Sequence, residues 1–269
     1  MSGNDAANAF RQLHQQGLLL LANVWDAGTA RLVESLGAKA IATTSAGVAW
    51  SLGYPDGDAV PIARLAETVA GMTRVLRVPL TVDSESGYSD DPATVAENIA
   101  RLIDAGAAGI NLEDGGSEPA LLCTKIEHIK RTGAKMGVAL FINARTDVYL
   151  RGLAPQERRV EETLARAQRY REAGADGLFV PGVVDSGEIQ AIAAGAGLPL
   201  NVMARPTLPP ASELECLGVR RLSAGSGTAE SAFARIATLS GDFLRDGLSA
   251  PLSEQAMRYP DINALFTDR

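Results

Sequence analysis

Histidine and cysteine are scarce in this chain, with two of each in 269 residues. His14 lies near the amino terminus and His128 on a helix-like apolar stretch, so neither suits a Ser-His-Asp triad or a zinc site. Cys123 and Cys216 are far apart and outside any C-x-x-C, which excludes a disulfide framework and a cysteine zinc site. Cys123 stands among Leu122, Ile126 and Ile129 at helical spacing, so it reads as a small core residue rather than a nucleophile. There is no basic run and the formal charge is −7, a poor match for nucleic acid or an anionic membrane. The early apolar run Leu18 to Val24 contains Asn23 and is too short to span a bilayer. It also lacks the basic flank of a signal peptide. What is present is 46% hydrophobic and 21% charged residues, near globular averages, which excludes disorder, collagen and coiled coil. A reduced, cytoplasmic protein is expected.

One pattern recurs along the chain. A helical stretch closes with Gly, a small residue follows, and a short apolar run ends in a polar residue. Leu36-Gly37-Ala38, Ala105-Gly106-Ala107, Ala173-Gly174-Ala175 and Leu217-Gly218-Val219 each precede such a run. Gly just past a helix end takes the left-handed conformation that stops the helix. Short, nearly continuous apolar strands are what a parallel sheet buried on both faces requires. Eight are predicted: Leu18–Trp25, Lys39–Ser45, Leu80–Glu85, Gly109–Asp114, Gly137–Arg145, Gly177–Pro181, Leu200–Ala204 and Arg220–Ala224. Asp91-Pro92 opens one intervening helix and Pro155 to Glu172 forms another. No G-x-G-x-x-G follows the first strand, which argues against a doubly wound sheet. The expected fold is α/β, a single (β/α)8 TIM-type barrel over residues 1–269. A leader helix over about residues 1–15 and a helical extension over about 248–269 flank it, with Gly241 to Ser249 separating the eighth helix from the last segment.

Catalytic groups of a barrel stand at the carboxyl ends of its strands. Those ends carry Trp25-Asp26, Ser45, Asp83 with Glu85, Glu113 with Asp114, Asn143, Arg145 and Asp147, then Asn201, Arg205, Ser223 and Ser226. Trp25 and Asn201 count among the substrate-side candidates. Carboxylates crowding one mouth would raise one another's pKa values, and a divalent cation relieves this. Asp83, Glu85 and Glu113 are the expected metal ligands. All-oxygen donors select a hard ion, Mg2+ or Mn2+. Asp83 and Glu85 lie two apart, so an extended strand would turn both side chains to one face. Arg145 aimed at that mouth can clamp a substrate carboxylate or stabilise an enolate oxygen; a salt bridge to Asp147 is the structural alternative. Ser45-Ala46-Gly47 lets backbone N–H groups approach an anion, although it is also an ordinary helix start. Gly225-Ser226-Gly227 reads equally as a phosphate-binding turn or a helix cap.

The ordered set of these motifs resembles the isocitrate lyase and phosphoenolpyruvate mutase superfamily. The pieces are Trp25-Asp26, Thr44-Ser45-Ala46-Gly47, Gly53-Tyr54-Pro55-Asp56, Val82-Asp83-Ser84-Glu85-Ser86-Gly87-Tyr88, Gly109 through Asp114, and Asn143-Ala144-Arg145-Thr146-Asp147. The resemblance implies a Mg2+-dependent barrel acting on 2-oxo acids through an enolate, as a homodimer or homotetramer with swapped C-terminal helices. It makes Asp83 the main metal ligand, with Asp56, Glu85 and Glu113 holding water on the ion. Ser45 with the Ala46 and Gly47 amides would bind the substrate carboxylate, and Arg145 would neutralise enolate and carboxylate oxygens. The loop after the fourth strand departs from the pattern. Asp114-Gly115-Gly116-Ser117-Glu118-Pro119 replaces the Lys-Arg-Cys-Gly-His of the lyases and lacks the Lys and Asn of the mutases. Glu85 stands where many members have Asp, and Pro181-Gly182 where lyases have Glu.

The expected activity is therefore C–C cleavage of a small 2-oxo or 2-hydroxy di- or tricarboxylate by a lyase or decarboxylase. The alternatives are P–C chemistry on a phosphonopyruvate-type substrate, as mutase or hydrolase, and a catalytically weak barrel that binds 2-oxo acids. Glu118, Tyr88 and water remain candidate proton donors.

Overall fold

The computed structural model describes residues 3–267; the outermost positions of the leader and the extension, 1–2 and 268–269, lie outside them. The strands are β1 (Leu19–Leu21), β2 (Asn23–Val24), β3 (Ile41–Thr43), β4 (Leu80–Asp83), β5 (Gly109–Glu113), β6 (Phe141–Arg145), β7 (Gly177–Phe179), β8 (Leu200–Met203) and β9 (Val219–Ser223). Helices α1 (Gly3–Gln12), α2 (Ala27–Ser35), α3 (Ser45–Ser51), α4 (Ile62–Val75), α5 (Pro92–Asp104) and α6 (Pro119–Lys135) occupy the first half. Then follow α7 (Arg159–Glu172), α8 (Ser186–Gly195), α9 (Ala211–Cys216), α10 (Gly227–Asp246), α11 (Ala250–Ser253) and α12 (Tyr259–Thr267).

All strands pair in parallel in one sheet of order β1-β9-β8-β7-β6-β5-β4-β3-β2. β1 pairs with β9 and β2 with β3. Both are parts of one extended stretch, interrupted at Ala22, so the two ends of the sheet meet on the same segment. The predicted first strand is thus split, and the barrel has the expected eight staves. Helix starts follow local chemistry. Asp91 accepts from the Thr94 amide ahead of Pro92, and Asp26 with Thr29 forms a capping box for α2. Val95, Ile99, Leu102 and Ile103 then put the apolar face of α5 on the sheet.

A second, smaller core fills the amino-terminal end of the barrel. Phe10 from α1 packs there with Leu19, Leu21, Ala40, Ala42, Ala108 and Phe141. The Phe10 ring meets Phe141 edge-on at 5.3 Å, and His14 stacks on Phe141 at 4.3 Å. Gly109 is required beneath it, because an added Cβ would lie 2.9 Å from Phe10 Cε1. The leader helix is therefore a plug on the face opposite the catalytic mouth.

Several boundaries differ from expectation. The stretch from Gly137 reaches strand geometry only at Phe141. Gln156–Arg158 form a 3-10 turn before α7. Gly241 does not end the eighth helix; α10 runs on to Asp246, and Gly247 at φ 67° closes it. The extension is broken at Gln255, which has a left-handed φ of 57°. Arg31 Nε donates to the Leu265 carbonyl at 2.8 Å, holding α12 against α2 of its own chain. Among the described residues no helix is long and apolar enough to cross a membrane.

Candidate active site

The carboxyl ends of the strands surround a cavity of about 230 Å3, below the roughly 300 Å3 at which drug-sized pockets begin. Its polar lining comes from Thr44, Ser45, Asp56, Asp83, Asn111 and Arg145 on one side. Asn23, Arg205, Ser223 and Ser226 close the other, and Leu150, Phe179 and Met203 give it an apolar wall. Ser45, Ala46, Asp83 and Arg145 are thus brought together as expected from their strand ends, and Asp56 joins them as the resemblance implies.

Asp83 ends β4. Its own amide is held by Thr43 Oγ1 at 2.8 Å, which fixes the strand end. Oδ2 receives only a long contact, 3.4 Å, from the Ser45 amide. Oδ1 is buried with no hydrogen-bond partner. Burial pushes this carboxyl above its ordinary pKa, with Arg145 pulling the other way. A buried carboxylate oxygen without a partner is costly, so the atom is built to meet something that enters the cavity.

Glu85 does not share the face of Asp83. The strand stops at Asp83, and Glu85 adopts a left-handed φ of 49°, which breaks the two-residue alternation on which the expectation rested. Its carboxylate is turned aside to the Asp58 amide and to the Tyr88 hydroxyl, the latter at 3.0 Å. Asp58 and Tyr88 are also left-handed, at φ 56° and 61°. Such backbone persists only where surrounding structure enforces it, commonly beside functional sites. Burial, with Glu85 adding, raises the Tyr88 phenol far above its ordinary range, so it stays protonated and donates to Glu85.

Glu113 and Arg145 end neighbouring strands in register, with Arg145 Nη1 2.5 Å from Glu113 Oε2. Burial pushes the Glu113 carboxyl upward, against the pull of Arg145. Arg145 also forks onto Asp147, with Nε at 2.8 Å and Nη2 at 3.1 Å. The structural alternative for Arg145 and its place on the cavity wall therefore both hold. Behind it, Asp114 accepts from the Asp147 amide at 3.0 Å, Arg166 at 2.8 Å and Tyr170 at 2.7 Å. Asp114 is a buried structural acid.

Among the described residues, no three His, Cys, Asp or Glu side chains cluster to hold a metal ion. Direct ligation of one ion by Asp83, Glu85 and Glu113 together is not assembled here, since Glu85 bonds Asp58 and Tyr88 and Glu113 pairs with Arg145; these contacts do not bear on ligation through water, the form the resemblance implies for Glu85 and Glu113. The residues present still fit a hard cation held by Asp83 alone, because Mg2+ is commonly bound through one or two carboxylates and otherwise by substrate and water.

Of the other expected side chains, only those of Arg205, Ser223 and Ser226 are on the cavity wall. Trp25 packs half-buried, and its amide donates to Thr29 Oγ1 at 3.3 Å. Gly47 is a packing position: a Cβ there would meet Thr44 Cγ2 at 2.8 Å and Trp25 Cβ at 3.0 Å. Asn201 lies below the cavity, bonded to Ser223 Oγ at 3.1 Å. Glu118 is exposed at the start of α6 and makes no side-chain cap bond. Cys123 is half-buried against the core and its thiol is pushed up by burial, consistent with a packing role. Ser226 Oγ donates to Glu230 at 2.5 Å, so the turn after β9 begins a helix. Reasoning from strand ends missed Asn23, Thr44 and Asn111. Asn23 was hidden inside an apolar run, yet its Oδ1 takes the Gly225 amide at 3.0 Å and its carbonyl takes Thr228 Oγ1 at 2.6 Å.

The phosphoenolpyruvate phosphomutase family profile matches residues 10–244. An uncharacterized protein of Mycobacterium tuberculosis is 40% identical over 225 residues, covering 81% of this chain and 82% of that protein. Oxaloacetate decarboxylase of a Bradyrhizobium species is 31% identical over 264 residues, covering 91% and 90%. A solved structure from Burkholderia cenocepacia, provisionally named a phosphonomutase, is 42% identical with a TM-score of 0.84, covering 88% of this chain and 100% of that one. With the sequence motifs, the barrel and these matches in agreement, the chain belongs to the phosphoenolpyruvate phosphomutase family, within the isocitrate lyase and phosphoenolpyruvate mutase superfamily of lyases and mutases.

Proposed function

We propose that this chain is a Mg2+-dependent lyase or decarboxylase that cleaves a C–C bond in a small 2-oxo or 2-hydroxy di- or tricarboxylate, with an oxaloacetate-like acid as its best-fitting substrate. The observation that carries the reading is the unpartnered, buried Asp83 Oδ1 in a small cavity shared with Arg145. The 31% identity to an oxaloacetate decarboxylase over 91% of the chain supports it. When bound at Asp83, with Asp56 at the cavity edge, Mg2+ supplies Lewis-acid polarisation of a 2-oxo carbonyl.

The chain's own residues account for the rest. Ser45 and Ala46 open α3 and line the cavity, and the amides of a first helical turn have no intrahelical acceptor, which suits a substrate carboxylate. As the C3–C4 bond breaks, its electron pair moves onto the keto oxygen and carbon dioxide leaves. Arg145, held in place by Asp147 and Glu113, stabilises the enolate oxygen that develops. Leu150, Phe179 and Met203 keep that side of the cavity apolar, which strengthens the interaction. The bond-breaking step requires no loop acid, in keeping with the exposed Glu118. Arg205 lines the same cavity and makes no ion pair among the described residues. It is placed to meet a second carboxylate.

Phosphorus chemistry is the second reading, favoured by the 42% identity to the provisionally named phosphonomutase and by Ser226 on the cavity wall. Oxaloacetate, offered with Mg2+, is expected to give pyruvate and carbon dioxide. Phosphonopyruvate followed by phosphorus NMR is expected to give no new resonance, and its conversion would move the assignment to P–C chemistry. Tight calorimetric binding of 2-oxo acids without product would mark a binder. The assembly is read as a homodimer or homotetramer, because Phe233, Ile236, Phe243 and Leu244 of α10 stand exposed.

A further inference from the structure

Directly behind two side chains that line the cavity lies a cation that the reading above does not use. Arg221 on β9 is 1% exposed, one of the largest fully buried side chains among the described residues. Among the described residues no carboxylate forms an ion pair with it. Its Nε donates to Ser223 Oγ at 3.2 Å and its Nη2 to Asn111 Oδ1 at 3.2 Å. Nη1 is buried without a partner. Beneath it the guanidinium faces the Phe10 ring at 6.0 Å, so the leader-helix plug keeps water from that side.

Above it, Asn111 and Ser223 line the cavity. Burial pulls the guanidinium down to about 9, with Asp83 opposing, which leaves it charged at neutral pH. A buried, unpaired charge costs several kcal/mol, and an apolar side chain of similar length would fill the same space. The hydrogen bonds do not explain its presence either. Without Arg221, Asn111 Oδ1 still receives Asn143 Nδ2 at 3.0 Å, and Ser223 Oγ still donates to Asn201 Oδ1 at 3.1 Å.

We infer that Arg221 is the buried cation of the anion-binding cavity, set directly behind Asn111 and Ser223, and that it supplies the positive potential for a dianionic ligand beside Asp83. The inference rests on the anionic-substrate reading above. It differs from the role of Arg145, because Arg221 touches no substrate and acts through its field.

The test compares the full chain with Arg221→Met and Arg221→Lys, using oxalate with Mg2+ as the calorimetric probe and the thermal midpoint as a separate readout. Arg221→Met is expected to weaken oxalate by about tenfold or more while its Tm stays level or rises. Arg221→Lys, which keeps the charge, is expected to recover part of the affinity. Oxalate affinity in Arg221→Met within about twofold of the wild type would overturn the inference. So would a Tm lowered by more than about 6 °C, roughly 2 kcal/mol for a chain this long, since Arg221 would then be holding the fold. If the wild type binds no oxalate, the substrate reading fails by itself, and the sign of the Tm change still decides whether Arg221 is retained against stability.

Discussion

Arg145 and Glu113 sit in register on adjacent strands, with Nη1 2.5 Å from Oε2, while the other edge of the same guanidinium forks onto Asp147. The group is held rigid before any ligand arrives, which is the condition for electrostatic catalysis without reorganisation. Lysine at position 145 would keep the charge but lose the planar fork. Arg145→Lys is expected to lower kcat by about a hundredfold, near 2.7 kcal/mol of barrier, with an unchanged circular dichroism spectrum. Steady-state kinetics on oxaloacetate would check it.

Asp114 acts at a distance from the cavity. Its side chain is fully buried and holds Arg166, Tyr170 and the Asp147 amide. Asp114→Ala would leave the Tyr170 phenol and the Asp147 amide without their acceptor and Arg166 with Glu162 alone, a loss of about 1–3 kcal/mol for each orphaned group. Urea unfolding is the measurement, with a lower midpoint and an unchanged slope expected.

His14 gives the fold an acid limit. Burial, with Arg221 nearby, lowers its pKa from 6.5 to about 3, and its Nδ1 pairs with the Phe10 carbonyl at 2.9 Å. The folded chain therefore binds the proton less readily than the unfolded one. Its contribution is complete above pH 6.5 and is lost as pH falls toward about 3, at about 1.4 kcal/mol per pH unit for one group. His14→Leu should flatten stability against pH in that window, as measured by denaturant titrations at several pH values.

The exposed apolar groups of α10 continue into Leu248, Leu252, Met257, Tyr259, Ile262 and Phe266. A chain ending at Gly247 is expected to scatter light as a smaller oligomer than the full chain. An oligomer of unchanged mass would show that the terminal helices are not part of the contact.

The barrel was legible because its grammar is local. Gly37, Gly106, Gly174 and Gly218 all take the left-handed conformation that ends a helix before a strand, and the apolar runs behind them become the staves. Asp83 and Arg145 were legible for the same reason, since strand ends define the mouth. Glu85 was not: its left-handed φ of 49° goes with contacts to Tyr88 on its own loop and to Asp58, brought in by the loop before α4. Arg221 was missed although a signal existed. Val219, Arg221 and Ser223 alternate inward along β9 in the burial pattern BiBiB, and that alternation makes Arg221 an interior residue.

The central claim is that Asp83 and the cavity around it carry a metal-assisted decarboxylation. The most direct measurement is pyruvate formation from oxaloacetate by wild type and Asp83→Ala, each with Mg2+ and with EDTA. The account predicts turnover by the wild type that EDTA abolishes, and none above the uncatalysed rate for Asp83→Ala despite an unchanged fold. Near-normal turnover by Asp83→Ala, or a wild-type rate indifferent to EDTA, would contradict it.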